Sequence, residues 1–229
     1  MLAKLKDKET WRRYFGSLKF ALYCTTHPLD GYWDLTHEKR GTIAAANTIL
    51  VLTLITRILK LQYTSFIFNQ VYWPKVNIFL YLAGILFPLA LWCVGNWGLT
   101  TLFDGKGTLR QVYMATCYGM TPYPLIQLPM ILFSNAITSD EGAFYIVLCT
   151  ISLIWAVLLI ISAMIQIHEY KLGKTILFTL ATLLILRAFL KERMDSSFFS
   201  PTGILPFWRR YFTISFNASL AFRSSSVIV

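Results

Sequence analysis

Charge is missing from three long stretches of this chain, and that absence decides its class. Residues 76–98, 114–137 and 144–167 contain no Lys, Arg, Asp or Glu. Each exceeds the roughly 20 residues that a helix needs to cross the hydrocarbon core of a bilayer. Acidic residues are scarce throughout, with 11 Asp and Glu against 21 Lys and Arg. Cysteine is sparse and scattered: Cys24, Cys93, Cys117 and Cys149 form no C-x-x-C pair. That spacing speaks against a zinc site or a disulfide framework. Cys93, Cys117 and Cys149, in or beside apolar runs, are expected to behave as small hydrophobes. Catalytic signatures are missing too. His37-Glu38 is followed by Gly41 where H-E-x-x-H needs a second His. No Ser sits in G-x-S-x-G surroundings, so no nucleophile–base pair, metal ligand or cofactor site is nominated. After Lys4, Lys6 and Lys8 come charged and aromatic residues instead of the apolar core of a signal peptide. Insertion is therefore expected to rely on the first uncleaved span.

What remains is strongly apolar: 56% of residues are hydrophobic and the mean hydropathy is +0.56. A fourth run, 42–56, is shorter and stops at Arg57. Backbone polar groups in lipid must pair within their own segment, so these runs are expected to be helices. The fold class that follows is all-α: a polytopic transmembrane helical bundle with four clear spans and a short or incomplete fifth, 175–186. An amphipathic N-terminal helix precedes it. Three regions are expected: a basic interfacial segment over 1–40, a transmembrane domain over 41–190, and an atypical polar and aromatic tail over 191–229. The net charge of +10 flanks the apolar runs and forms no single basic face. Anionic lipid headgroups fit that distribution, and nucleic acid does not.

Along residues 1–40, Trp11, Tyr14, Phe15, Leu18 and Leu22 recur at helical spacing, with Lys8, Arg12, Arg13 and Lys19 off the stripe. Such a helix lies in the membrane interface or packs on the rest of the protein; Phe20 falls on its polar side. Trp11, Arg12, Arg13, Phe15 and Lys19 are the residues expected to meet the membrane surface. His27-Pro28-Leu29-Asp30-Gly31 reads as a turn-rich stretch that ends the helix. Gly41 opens the first span, where Ala44, Ala45 and Ala46 offer a small-residue surface. Asn47, Thr48, Thr53 and Thr56 are expected to hydrogen-bond to neighbouring helices, and the span to face protein more than lipid. Residues 63–73, rich in Tyr, Phe and Trp and carrying Asn69 and Gln70, suit a membrane–water boundary. Pro88 interrupts the second span, and Trp92 and Trp97 approach its far interface. Asp104-Gly105-Lys106-Gly107 makes a tight turn; it lacks the spacing of a phosphate-binding loop. The third span carries Gly119, Pro122, Pro124 and Pro129, a density of breakers that membranes tolerate only inside protein or along a cavity. Asn96, Thr121, Pro122, Pro124 and Gln127 are the candidates for interhelical bonding or a pocket.

Orientation follows from counting Lys and Arg: eight in 1–40, three in 57–75, two in 104–111, none in 134–142 and two in 168–174. Placing the N-terminus in the cytoplasm puts twelve inside and three outside, in accord with the positive-inside rule. If 175–186 crossed, Arg187, Lys191, Arg193, Arg209, Arg210 and Arg223 would fall on the wrong side. That charge placement and the abrupt polarity change point to a diverged end or an altered reading frame from about residue 187. An encoding DNA with no apolar continuation in its other frames would refute the second of these.

His27-Pro-Leu-Asp-Gly-Tyr-Trp-Asp-Leu-Thr-His-Glu-Lys-Arg-Gly41 joins an amphipathic approach to the first span through a Pro-containing turn. Gly95-Asn-Trp-Gly-Leu-Thr-Thr-Leu-Phe-Asp-Gly-Lys-Gly-Thr-Leu-Arg110, with Ala115-Thr-Cys-Tyr-Gly-Met-Thr-Pro-Tyr-Pro124, joins an apolar span, a Gly-rich turn and a span broken at Tyr and Pro. In this combination, over approximately residues 27–186, the chain resembles prokaryotic members of the Yip1 family. The resemblance implies about five transmembrane helices, a cytoplasmic N-terminus and a bacterial plasma membrane. Eukaryotic relatives associate with small GTPases in vesicle trafficking; no GTPase-binding residue carries over. The family's Asp-Leu-Tyr-Gly-Pro element has no counterpart, since Trp33-Asp34-Leu35 is too short a match. The function expected is a non-catalytic membrane protein that organises membrane or docks a partner, with lipids, a membrane protein or a second copy as partners. The alternative is a transporter or permease component that uses the broken third span.

Overall fold

The computed structural model describes residues 8–38, 40–68, 77–103, 105–138 and 141–195. Lys4, Lys6, Asn69, Gln70, Asp104 and the tail from 196 lie outside them. Eight helices follow in order among the described residues: α1 (Lys8–Thr26), α2 (Pro28–His37), α3 (Ile43–Tyr63), α4 (Ile78–Leu102), α5 (Leu109–Gly119), α6 (Pro122–Phe133), α7 (Gly142–His168) and α8 (Leu172–Asp195). The architecture is the all-helical bundle expected.

Among the described residues, three single helices, one fewer than the clear spans expected, are long and apolar enough to cross a membrane: α3, α4 from Tyr81, and α7. The third apolar run is two helices. Thr108 and Gln111 form a reciprocal capping box, so helix begins at Leu109 and not at 114. It ends where Thr121 N–H turns back to the Tyr118 carbonyl, and Pro122 restarts helix at its first position, where a missing N–H costs nothing. Pro88 lies inside α4 without ending it. Helix α3 runs through Arg57 to Tyr63. The short fifth segment belongs to a continuous 24-residue helix, α8, which packs along α4.

Pro28 also opens a helix instead of closing one. Only His27 separates α1 from α2, and Pro28 occupies the first position of α2. Gly31 permits this sharp return, because a Cβ there would lie 2.9 Å from both the Cα and Sγ of Cys24. One core joins α1, α2, α3, α5 and α7 around Cys24, Tyr32, Ala45, Ala46, Tyr118 and Met164. Tyr118 stitches it, donating to the Ser17 carbonyl at 3.4 Å and accepting from Thr42 N–H at 3.3 Å. Gly119 lets α5 approach α7, since a Cβ would meet Ile160 at 2.8 Å. A smaller core of Met130, Tyr145 and Cys149 joins α6 to α7. Helix α3 is no more buried than α7: 28% of each span faces the interior.

Candidate functional site

Two polar clusters sit in the bundle, and a groove runs along its flank. The first closes one end. Gly105 N–H reaches the Thr100 carbonyl at 2.8 Å, turning the chain back under α4. A Cβ on Gly107 would strike Ile167 and lie 2.7–2.8 Å from the His168 ring, so only glycine lets the turn close on α7. Behind it, His168 Nε2 donates to Asn96 Oδ1 at 3.1 Å, both residues fully buried. Glu169 ends α7 in the left-handed conformation, with φ of 53°. Lys106 Nζ lies 2.6 Å from its carboxylate, and His37 Nε2 lies 4.0 Å away. The hydrogen bond from Lys106 holds the Glu169 carboxyl below its ordinary value. Tyr170 donates to the Phe103 carbonyl at 2.6 Å, covering the last turn of α4. Charges here are paired with one another, so the chemistry is that of a clamp among α2, α4, α5 and α7. The sequence shows both halves, Gly105-Lys106-Gly107 and His168-Glu169-Tyr170, but not their meeting.

The second cluster lies towards the other end. Buried Gln127 on α6 accepts from Lys60 Nζ at 2.7 Å and donates to Ser152 Oγ at 2.7 Å and the Cys149 carbonyl at 3.1 Å. One turn before Lys60, Arg57 lies 4.8 Å over the ring of Tyr123. Helix α3 therefore carries its two cations onto α6, which is why it need not stop at Arg57. Thr121, Pro122 and Pro124 are buried at the start of α6, and the Thr121 hydroxyl returns to the Tyr118 carbonyl. Asn96 stands apart from these residues, against His168. Thr53 and Thr56, expected to bridge helices, donate to their own helix at Ile49 and Leu52. Such i−4 bonds satisfy the hydroxyls locally. Asn47 and Thr48 do reach neighbours: Tyr113 on α5 and Tyr14 on α1, both at 2.6 Å.

Helix α1 is buried through Ser17, Phe20, Ala21 and Cys24. Phe20 thus lies on the bundle face, and burial pushes the Cys24 thiol up to about 12, which keeps it protonated and inert. Trp11, Phe15 and Leu22 remain about half exposed, with Arg12, Arg13 and Lys19 also exposed. Between α1 and the approach to α3 runs an open groove of ≈ 540 Å³ lined by Arg13, Gly16, Lys19, Tyr23, Glu38 and Arg40, among others.

The family model of the Yip1 domain matches residues 22–190. The chain belongs to the Yip1 family. No curated protein and no solved structure matches it. The Yip1 match starts within α1 and takes in both polar clusters, the break between α5 and α6, and most of α8. With its apolar helices, the protein is an integral membrane protein of the Yip1 family.

Proposed function

We propose that this Yip1-family protein is a non-catalytic membrane organiser or docking platform whose basic end faces the cytoplasm. The reading rests on α1. It is fixed to the bundle by one face, yet keeps a second apolar face, Trp11, Phe15 and Leu22, open beside exposed cations. A soluble surface gains nothing from such a stripe, whereas a headgroup layer accepts both its rings and its charges. The break in the third run is filled by paired side chains, which favours a structural role for Thr121, Pro122, Pro124 and Gln127 over a transport path. The protein is expected to act without a cofactor, in the plasma membrane, with lipid and a membrane protein or second copy as partners.

The test uses the full-length protein carrying Phe15→Cys labelled with an environment-sensitive fluorophore, in nanodiscs. A blue shift and quenching by brominated lipid are expected, stronger with anionic than with zwitterionic lipid. A water-like emission in both would overturn the reading. Robust solute uptake by proteoliposomes of the purified protein would favour the transporter instead.

A further inference from the structure

The groove beside α1 has a charge pattern that general adsorption does not require. Arg13 and Lys19 both line it, and neither has an acidic partner among the described residues. Arg40 faces them across the groove, and its position is fixed from three sides. Its Nη1 lies 3.1 Å from Asp34, its Nε lies 2.5 Å from Glu38, and its carbonyl accepts from Ser17 Oγ at 3.1 Å. Arginine held this way presents donors in a fixed plane, the arrangement that suits phosphoryl oxygens. Asp34 and Glu38, the second also lining the groove, already balance Arg40, so the uncompensated charges an anion would meet there are those of Arg13 and Lys19. The floor is open: a Cβ on Gly16 would meet nothing within 4 Å. Apolar walls come from Phe20 and Tyr23, whose rings stack at 6.0 Å. The stripe of Trp11, Phe15 and Leu22 lies farther round the same helix, beyond Lys19; at the groove itself the ring of Tyr23, 39% exposed, is the apolar surface a molecule held by its phosphate would meet.

We propose that this groove is a headgroup site for an anionic phospholipid, with the phosphoryl group between Arg13, Lys19 and Arg40. The proposal rests on the membrane-surface reading of α1 and narrows it from a charged face to one built site. Glycerol phosphate esters share the chemistry, and the apolar rings of Phe20 and Tyr23 lining the groove favour the lipid.

The test titrates dioctanoyl phosphatidic acid into the full-length protein in neutral detergent, with dioctanoyl phosphatidylcholine and glycerol 3-phosphate as comparison ligands. Saturable binding of the first alone is expected. Arg13→Gln and Lys19→Gln should each weaken it about tenfold, the scale of losing one partly exposed charge-assisted contact. Arg12→Gln, outside the groove, should change it little. Gly16→Leu keeps every charge and fills the floor, so it should abolish binding while the thermal melt stays intact. Equal losses from all three charge variants, with Gly16→Leu harmless, would overturn the groove and leave the membrane-surface reading standing. Equal competition by glycerol 3-phosphate would overturn the lipid as ligand. Absent binding together with a water-like Phe15 probe would remove both readings.

Discussion

Gly107 and Gly98 show how one residue type obeys opposite constraints. A Cβ at Gly107 would run into Ile167 and the His168 ring, whereas at Gly98, inside α4, it would meet nothing within 4 Å. Gly107→Ala is expected to destabilise by about 1–3 kcal/mol through overpacking. Gly98→Ala should stabilise by about 0.5–1 kcal/mol, since alanine holds a helix better. Thermal melts in detergent should therefore move in opposite directions. Glu169 makes a pH-dependent contribution at the same end. Its carboxyl is held below the ordinary 4.5 by Lys106, so the folded state binds its proton less readily than the unfolded chain. That stabilisation is present above pH 4.5 and is lost as pH falls through the lowered value. Wild type should melt slightly above Glu169→Gln at pH 7, and the difference should vanish once the pH falls below the lowered value, where both states of this carboxyl are protonated.

Among the elements, α1 carries two apolar faces of different fate. Phe20 is 8% exposed and Phe15 58%. Phe20→Ala is expected to cost about 3–5 kcal/mol, as truncation of a buried ring does. Phe15→Ala in detergent should stay within about 0.5 kcal/mol, because the ring is mostly exposed and touches only Trp11 and Tyr14 of its own helix among the ring contacts of the described residues. Similar losses from both would mean that α1 packs through its aromatic stripe. Helix α6 depends on Gln127 for its polar links to α3 and α7. Gln127→Leu removes the acceptor for Lys60 and the donor to buried Ser152, so a loss of about 1–3 kcal/mol is expected in the same melts. An unchanged melt would show that the network adds orientation without stability.

At the scale of the whole molecule, the polar contacts divide the bundle into two ends. His37, Lys106 and Glu169 meet at one. At the other, Asn135 Nδ2 donates to the Tyr63 carbonyl at 3.0 Å and Ser65 N–H to Ser134 Oγ at 3.2 Å. All four cysteines are buried, so introduced ones can be labelled against a quiet background. With Glu38→Cys, Lys106→Cys and Thr138→Cys in sealed vesicles, an impermeant thiol reagent should reach 38 and 106 from one side and 138 only from the other. That outcome is expected if α5 and α6 cross the membrane together as a broken pair, and labelling of 106 and 138 from a common side would overturn it.

Much of this was legible in the chain. Uncharged runs mark helices in lipid because an unpaired backbone group there is too costly, and the Pro, Gly and Thr of the α4–α5 and α5–α6 junctions locate the turns. The span count was less legible, since hydropathy passes unbroken through Met120 and Thr121 while the hydrogen bonds turn there. Arg57 misled for a related reason: a cation ends an apolar run but not a helix when an aromatic ring lies across from it. Composition and periodicity by themselves determined the class of fold, the places of most helices and the exposed apolar stripe on α1. Only the tertiary structure decided that α1 has a second face, through Phe20, Ala21 and Cys24, and that this one is buried, that Gly107 lies under His168, and that Arg40 joins Arg13 and Lys19 in one groove. Periodicity reports what a residue offers along its own helix, whereas burial and pairing depend on elements tens of residues away that only folding brings alongside.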